Sequence, residues 1–288
     1  MCGLLIDMTS MLLGYNTNGM AHHDLLDAVA LLAEIGYRGV AITVDHGALA
    51  PGGASCQLQR LQRLFTQLGM RSVIETGARY LLDPRTKHEP TLVTADSAGR
   101  ARRIEFYRHA IRCAAELRSD CVSLWSGLIR DSAPAEQVMR RLVDGLGQVL
   151  DYAAAQGVVV GFEPEPGMFI DSMQRFEMLL GELPERGSKL RLTLDVGHLQ
   201  CQREFPLAQQ IGRWGPWLSN VHIEDMRAGI HQHLMFGQGE IDFPPVLQAL
   251  AETGYSGGVY VELSGHSREA PEAARRAFEF LNPLGNGL

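Results

Sequence analysis

Long apolar runs are missing from this 288-residue chain. No stretch reaches the ~18 consecutive apolar residues of a membrane span. Residues 1–7 lack the basic start and apolar run of a secretory signal. Cysteine is sparse: Cys2, Cys56, Cys113, Cys121 and Cys201 are scattered, odd in number and never spaced as CxxC. That pattern indicates neither a disulfide framework nor a cysteine zinc site, and reduced thiols are the plain reading. Together these absences predict a soluble, cytoplasmic protein. Basic charge is in deficit, with 26 Lys and Arg against 33 Asp and Glu and a net charge of −7. A general binder of nucleic acid or anionic membrane needs a basic face, so both partner classes are disfavoured. What is present is an ordinary globular composition, 45% hydrophobic and 20% charged, too apolar for disorder.

Short runs rich in Val, Ile and Leu alternate with longer amphipathic stretches. Strands are predicted at 4–8, 39–44, 71–75, 121–125, 158–163, 190–195, 219–223 and 258–262. Period-3.6 patterning predicts helices at 22–35, 55–68, 99–118, 135–156, 172–181, 205–212, 243–253 and 269–281. Glycine follows several helices just before the next strand (Gly36, Gly69, Gly157, Gly254), where a left-handed residue closes a helix. The strands are nearly continuous apolar runs, as expected when both faces of a parallel sheet are buried. Eight βα units in a chain of this length predict a single-domain α/β fold over residues 1–288, a (β/α)8 TIM barrel. Two long irregular segments, 76–98 and 224–241, follow the third and seventh strands. In a barrel both lie on the C-terminal face, where active sites are built.

The last four strand candidates end in metal-capable residues: Glu163, Asp195, His222 and Glu262. One acid at a strand end is ordinarily a helix cap or a loop salt bridge. Four such ends in succession are poorly explained that way, and in a barrel they converge on one mouth. Three carboxylates and one imidazole form a hard cage for a single divalent ion, Mn2+, Mg2+, Co2+ or Zn2+. His198, three residues after Asp195, together with His231 and His233 could hold a second metal. Alternatively, His198 hydrogen-bonds substrate and the other two are loop residues.

Phe162-Glu163-Pro164-Glu165-Pro166, Leu194-Asp195-Val196-Gly197-His198, Val221-His222-Ile223-Glu224-Asp225, the 237–243 run and Val261-Glu262 resemble the motifs of the xylose-isomerase-like barrel superfamily. That superfamily includes sugar and sugar-phosphate isomerases and epimerases and the endonuclease IV type of repair enzyme. The resemblance covers nearly the whole chain and implies that Glu163, Asp195, His222 and Glu262 are the shared metal ligands. It implies that Glu163 and Glu262 carry the proton in enediolate chemistry, isomerising or epimerising a sugar or polyol, and that His198 orients a substrate oxygen. Trp125, at the end of the fourth strand, is a candidate to pack on the sugar, or a core residue. Glu165 and Arg227 are substrate candidates or solvated loop charges. Arg79, Arg85 and Lys87, in the 76–98 segment, could recognise a phosphate or carboxylate. A dehydratase of a cyclic polyol or keto acid shares the first proton abstraction. The endonuclease branch uses further ligands, including a histidine matching His198 and an Asp-x-His where this chain has His231-Gln232-His233. From the second and third units this chain offers His46, Glu75 and His88. A multi-zinc phosphodiesterase and a metabolite-binding barrel without turnover are also compatible with these residues. So is a homo-oligomer, since nothing in the residues sets the oligomeric state.

Overall fold

The computed structural model describes residues 11–183 and 186–286. Its chain runs β1 (Leu12–Asn16), α1 (Leu25–Ile35), β2 (Gly39–Thr43), α2 (Ala54–Leu68), β3 (Arg71–Glu75), α3 (Ser97–Leu117), β4 (Val122–Leu124), α4 (Ala135–Gln156), β5 (Val160–Phe162) and α5 (Met173–Gly181). It continues through β6 (Leu190–Asp195), α6 (Val196–Cys201), α7 (Leu207–Trp214), β7 (Leu218–Ile223), β8 (Asp225–Arg227), β9 (Ile230–Leu234), α8 (Phe243–Glu252), β10 (Gly258–Val261) and α9 (Ala270–Asn286). Gly36, Gly69 and Gly157 end α1, α2 and α4 at positive φ, each returning its N–H to a carbonyl of the last turn. Asp24, Asp96, Ser172 and Asp195 cap α1, α3, α5 and α6, their side chains accepting from backbone N–H groups that have no intrahelical acceptor.

Eight parallel strands close a barrel, as the sequence predicts, and a separate β8–β9 hairpin stands outside it. Closure is made by β1, which pairs with β10 (Leu12 opposite Gly258) and with β2 (Gly14 opposite Gly39). The first barrel strand is therefore 12–16, whereas the predicted 4–8 run lies outside the described residues. Both runs are apolar; what selects 12–16 is pairing with two strands distant in sequence, which periodicity does not encode. The 224–241 segment, expected to be irregular, holds the antiparallel β8–β9 hairpin. Its β9, Ile230 to Leu234, is exposed to half-buried and carries polar residues between apolar ones, so it gives no buried-strand signal.

Alternation along the strands sorts the barrel interior into layers. Ala41, Val73, Cys121 and Tyr260 form a small enclosed apolar cluster of their own. Gly14 makes room for it: a Cβ there would overlap the Tyr260 ring and reach 3.1 Å from the Gly39 carbonyl carbon. Two residues further along the same strands stand Thr43, Glu75, Ser123 and Glu262. The apolar plug thus sits beneath a polar layer at the C-terminal mouth. Outside the barrel, Phe162 stacks on Phe176, which packs on Trp214, tying β5, α5 and α7 together.

Candidate active site

Four strand ends deliver four side chains to one point. Glu163 follows β5, Asp195 closes β6, His222 lies in β7 and Glu262 follows β10; their ligand atoms all lie within 4.8 Å of one another. His222 is the hub. Its Nδ1 is 3.0 Å from Glu163 Oε1, 2.8 Å from Glu262 Oε2 and 3.9 Å from Asp195 Oδ2, and its Nε2 is 2.9 Å from Glu75 Oε1. Asn220 Nδ2 also donates to Glu75 Oε1, at 2.9 Å. Asn220 Nδ2 also stands 3.1 Å from His222 Nε2, but the shorter contact, to a carboxylate that can accept, assigns the Nε2 hydrogen to Glu75. Nδ1 is thereby the nitrogen turned toward the cage.

Charge in this cluster is strongly one-sided. Burial opposes the His222 cation, yet Glu75, Glu163 and Glu262 outweigh it and hold the imidazole well above its usual pKa. Burial pushes the Glu163 carboxyl up to about 8 against the pull of His222, with Glu262 and Asp195 adding to the rise. Glu262 goes the other way: burial would raise it, but attraction and hydrogen bonding from His222 hold it well below the carboxylate range. Four carboxyl groups surround one imidazole, so the cage stays net negative even with Glu163 protonated. Asp195 Oδ2 is buried with no hydrogen-bond partner, a lone pair on offer. Carboxylate oxygens and an imidazole nitrogen are the donor set for a hard or borderline divalent cation, and the residues present fit one.

A second cluster adjoins the first. Asp195 Oδ1 accepts the His198 backbone N–H at 2.8 Å, fixing His198 at the start of α6. His198 Nδ1 lies 3.2 Å from the Pro164 carbonyl and donates to it, which leaves Nε2 bare; that atom is 3.1 Å from His231 Nε2. His231 and His233 come from β9, where period-two spacing puts both rings on the same side, and with His198 they form a three-imidazole group. Beneath them Glu224, absent from the site residues inferred from sequence, is 0% exposed, and neither of its oxygens has a hydrogen-bond partner. Its Oε1 is 3.7 Å from His233 Nδ1. Burial, then Asp195, pushes Glu224 well above the carboxylate range. Glu165 reaches the same corner, 3.7 Å from His231 Nε2.

A cavity of about 510 Å3 opens above both clusters. Glu163, Glu165, His222, His231, His233 and Glu262 line it, and so does Trp125, whose ring meets His88 edge-on at 5.3 Å. Arg79, Lys87 and His88 line it too, brought in by the 76–98 segment, while Arg85 is exposed and away from it. Arg227 is exposed, donates to the Gln238 carbonyl at 3.0 Å and does not line the cavity. His46 is exposed beside Asp45 in a separate depression. Asn16, which ends the displaced first strand, and Asn18, just after it, escaped the sequence reading for that reason. Asn18 Nδ2 donates to Glu262 Oε1 at 2.7 Å and Asn16 Nδ2 stands 3.5 Å from Glu262 Oε2. Asp225 anchors the hairpin: its carboxylate accepts from the backbone N–H of Met226 (2.9 Å), Gly237 (2.9 Å), Gly239 (2.8 Å) and Ile241 (3.2 Å).

A closed (β/α)8 barrel with a carboxylate–imidazole cage at its C-terminal mouth is the class that fold and site define. Within it, a model of the xylose isomerase-like TIM barrel family matches residues 29–284, and the chain belongs to that family. The L-ribulose-5-phosphate 3-epimerase UlaE of Shigella flexneri serotype 5b is 26% identical over 219 residues, covering 74% of this chain and 74% of its own. The structure of an L-ribulose 3-epimerase matches with a TM-score of 0.78 at 18% identity, over 96% of this chain and 95% of that one. The IOLI protein, solved with a zinc atom, matches with a TM-score of 0.76 at 19% identity, over 96% and 98%. Among the described residues no helix is long and apolar enough to cross a membrane.

Proposed function

We propose that this chain is a divalent-metal-dependent epimerase or isomerase of a sugar or polyol. One observation carries the reading: two carboxylates, Glu163 and Glu262, lie within 3.0 Å of the same imidazole nitrogen while Asp195 completes the group. Glu163, Asp195, His222 through Nδ1, and Glu262 would hold the ion. When bound it supplies Lewis-acid stabilisation of the negative charge that develops on neighbouring oxygens of a hydroxy-ketone. The chain's own groups move the proton. One of Glu163 and Glu262 removes hydrogen from the carbon beside the carbonyl, and the other returns it to the opposite face or to the adjacent carbon. His198, buried and 3.1 Å from His231 through Nε2, would reach a substrate hydroxyl only in exchange for that contact, and Trp125 gives the sugar an apolar wall.

The sugar epimerase relative and the superposed epimerase fold support this assignment. The test has two parts. Metal content of the wild type should fall in Glu262→Gln and His222→Ala, and unchanged content in both would sink the cage. In deuterated water a turned-over ketose should gain deuterium at the carbon beside the carbonyl. Turnover without exchange would count against proton transfer, and loss of water would indicate the dehydratase. A second ion at His198, His231 and His233 is favoured by the unpartnered, buried Glu224 beside them. Two metals per chain, the second lost in His233→Ala, is the expected stoichiometry for it.

A further inference from the structure

The cavity has two electrical halves. Its floor is the carboxylate cage, and its wall on the β3 side is cationic. Arg79 and Lys87 both line that wall. Lys87 is exposed and makes no ion pair or hydrogen bond among the described residues. It is one of only two lysines in the chain, the other being Lys189. Arg79 Nη2 donates to the Asn18 carbonyl at 2.8 Å, and the Asn18 side chain donates to Glu262 Oε1 at 2.7 Å, so a single residue separates the guanidinium from the cage. The acid paired with Arg79 is Asp45, at 3.4 Å. Behind them Arg103 is fully buried over the Trp125 ring at 4.8 Å, with Nε and Nη1 unpartnered. On that wall Arg79 and Lys87, with Arg103 behind them, outnumber Asp45, while the acids of the cavity, Glu75, Glu163, Glu165 and Glu262, belong to the cage side.

Two further observations belong to the same segment. The His88 ring registers the surplus: burial pushes it down to about 4, and Lys87, Arg103 and Arg79 push the same way against its hydrogen bond to Gly77. Ala78, Arg79 and His88 all sit in the left-handed region, at φ of 59°, 38° and 68°. Non-glycine residues there are strained and gather at ligand-binding segments. The fold bears that strain in the segment that brings the cations over the cavity.

We propose that the substrate carries an anionic group, phosphate or carboxylate, at the end remote from the cage, and that Arg79 and Lys87 receive it. The inference rests on the epimerase reading only for what the other end of the molecule is. Arg79 offers a planar fork suited to two oxygens, and Lys87 a mobile point charge. The cavity volume of about 510 Å3 lies within the ~300–1,000 Å3 of small-molecule sites.

Calorimetry on the metal-loaded full chain tests this with three probes: L-ribulose, L-ribulose 5-phosphate, and a ketohexose acid with a terminal carboxylate. One anionic probe should bind roughly tenfold or more tighter than the neutral ketose, the size of one charge-assisted hydrogen bond. Which anion does so tells phosphate from carboxylate. Lys87→Ala and Arg79→Gln should each erase most of that margin, and Arg79→Lys should retain part of it. Equal binding of all three probes, no binding of any, or a margin that survives both substitutions overturns the proposal. Deuterium exchange on the same probes reports separately on the epimerase reading. An anion bound by this margin without exchange sinks the epimerase and leaves the anion subsite. Exchange of the neutral ketose without a margin does the reverse.

Discussion

Replacing Glu75 by alanine should weaken the proposed metal site without altering any of the four residues that would hold the ion. Glu75 is 6% exposed and accepts two hydrogens at 2.9 Å, one from His222 Nε2 and one from Asn220 Nδ2. Asn220 Oδ1 already lacks a partner, and the amide's other neighbour, His222 Nε2 at 3.1 Å, can accept only if it gives up its own hydrogen. Truncation leaves two buried donors without an acceptor, at ~1–3 kcal/mol each, an upper limit if water enters the space. The same change frees the His222 ring to rotate and to exchange its tautomer. Partners of this kind are worth ~10–100-fold in metal affinity, or ~1.4–2.7 kcal/mol. Glu75→Gln keeps an acceptor oxygen and should lose less on both counts. Chelator competition measures the dissociation constant, with near-ultraviolet circular dichroism to confirm the fold. A folded Glu75→Ala protein that holds its metal within about twofold of the wild type would refute the assignment of Nδ1 as the metal-facing nitrogen.

Three more outcomes follow from the same geometry. Asn18→Ala removes a donor from Glu262 at 2.7 Å while keeping the backbone carbonyl that Arg79 uses. A hydrogen bond to a charged group is worth ~1.5–3 kcal/mol, so deuterium exchange of the substrate should slow by roughly 10–100-fold, and an unchanged rate would deny Asn18 a role. Gly197→Ala places a Cβ against Glu224 Oε1 and 2.8 Å from Met226 Cε, so urea unfolding should show a loss of ~1–3 kcal/mol, partly offset by ~1 kcal/mol of helix propensity. Burial raises the pKa values of Tyr15, Tyr37, Tyr255 and Tyr260 in the fold. The unfolded chain ionises first, so stability is full below ~pH 10 and falls above it by up to ~1.4 kcal/mol per pH unit for each tyrosine. Denaturation midpoints that stay flat from pH 9 to 12 would contradict that burial.

Much of the barrel was legible because parallel strands buried on both faces leave continuous apolar runs, and seven of them end within two residues of where the sequence places them. The first strand was not legible. Residues 4–8 and 12–16 are alike in composition, and only hydrogen bonding to Gly258 and Gly39 distinguishes the second run. That displacement hid Asn16 and Asn18. The four cage residues stood out because each interrupts an apolar run with a group that burial penalises unless something pairs with it. Glu224 did not stand out: it follows His222 by two residues and reads as an ordinary loop acid until its burial is known. Arg227 drew notice as a cation near the motif, but on β8 it is exposed and hydrogen-bonds the hairpin's own return.

The carboxylate of Asp225 joins the start of the β8–β9 hairpin to the chain that returns from it. Everything between, from Arg227 to Phe236, is enclosed by that clasp and can change in length or content without disturbing a barrel strand. The four-residue cage and the hairpin that covers it are thus separate parts of the fold, with His231 and His233 the hairpin's own contribution to the site. The floor is carried by strand ends, whereas most of the cover is carried by a hairpin outside the barrel sheet. Grafting a foreign hairpin between the residues that Asp225 gathers is a direct way to offer such a barrel a new molecule while Glu163, Asp195, His222 and Glu262 stay in place.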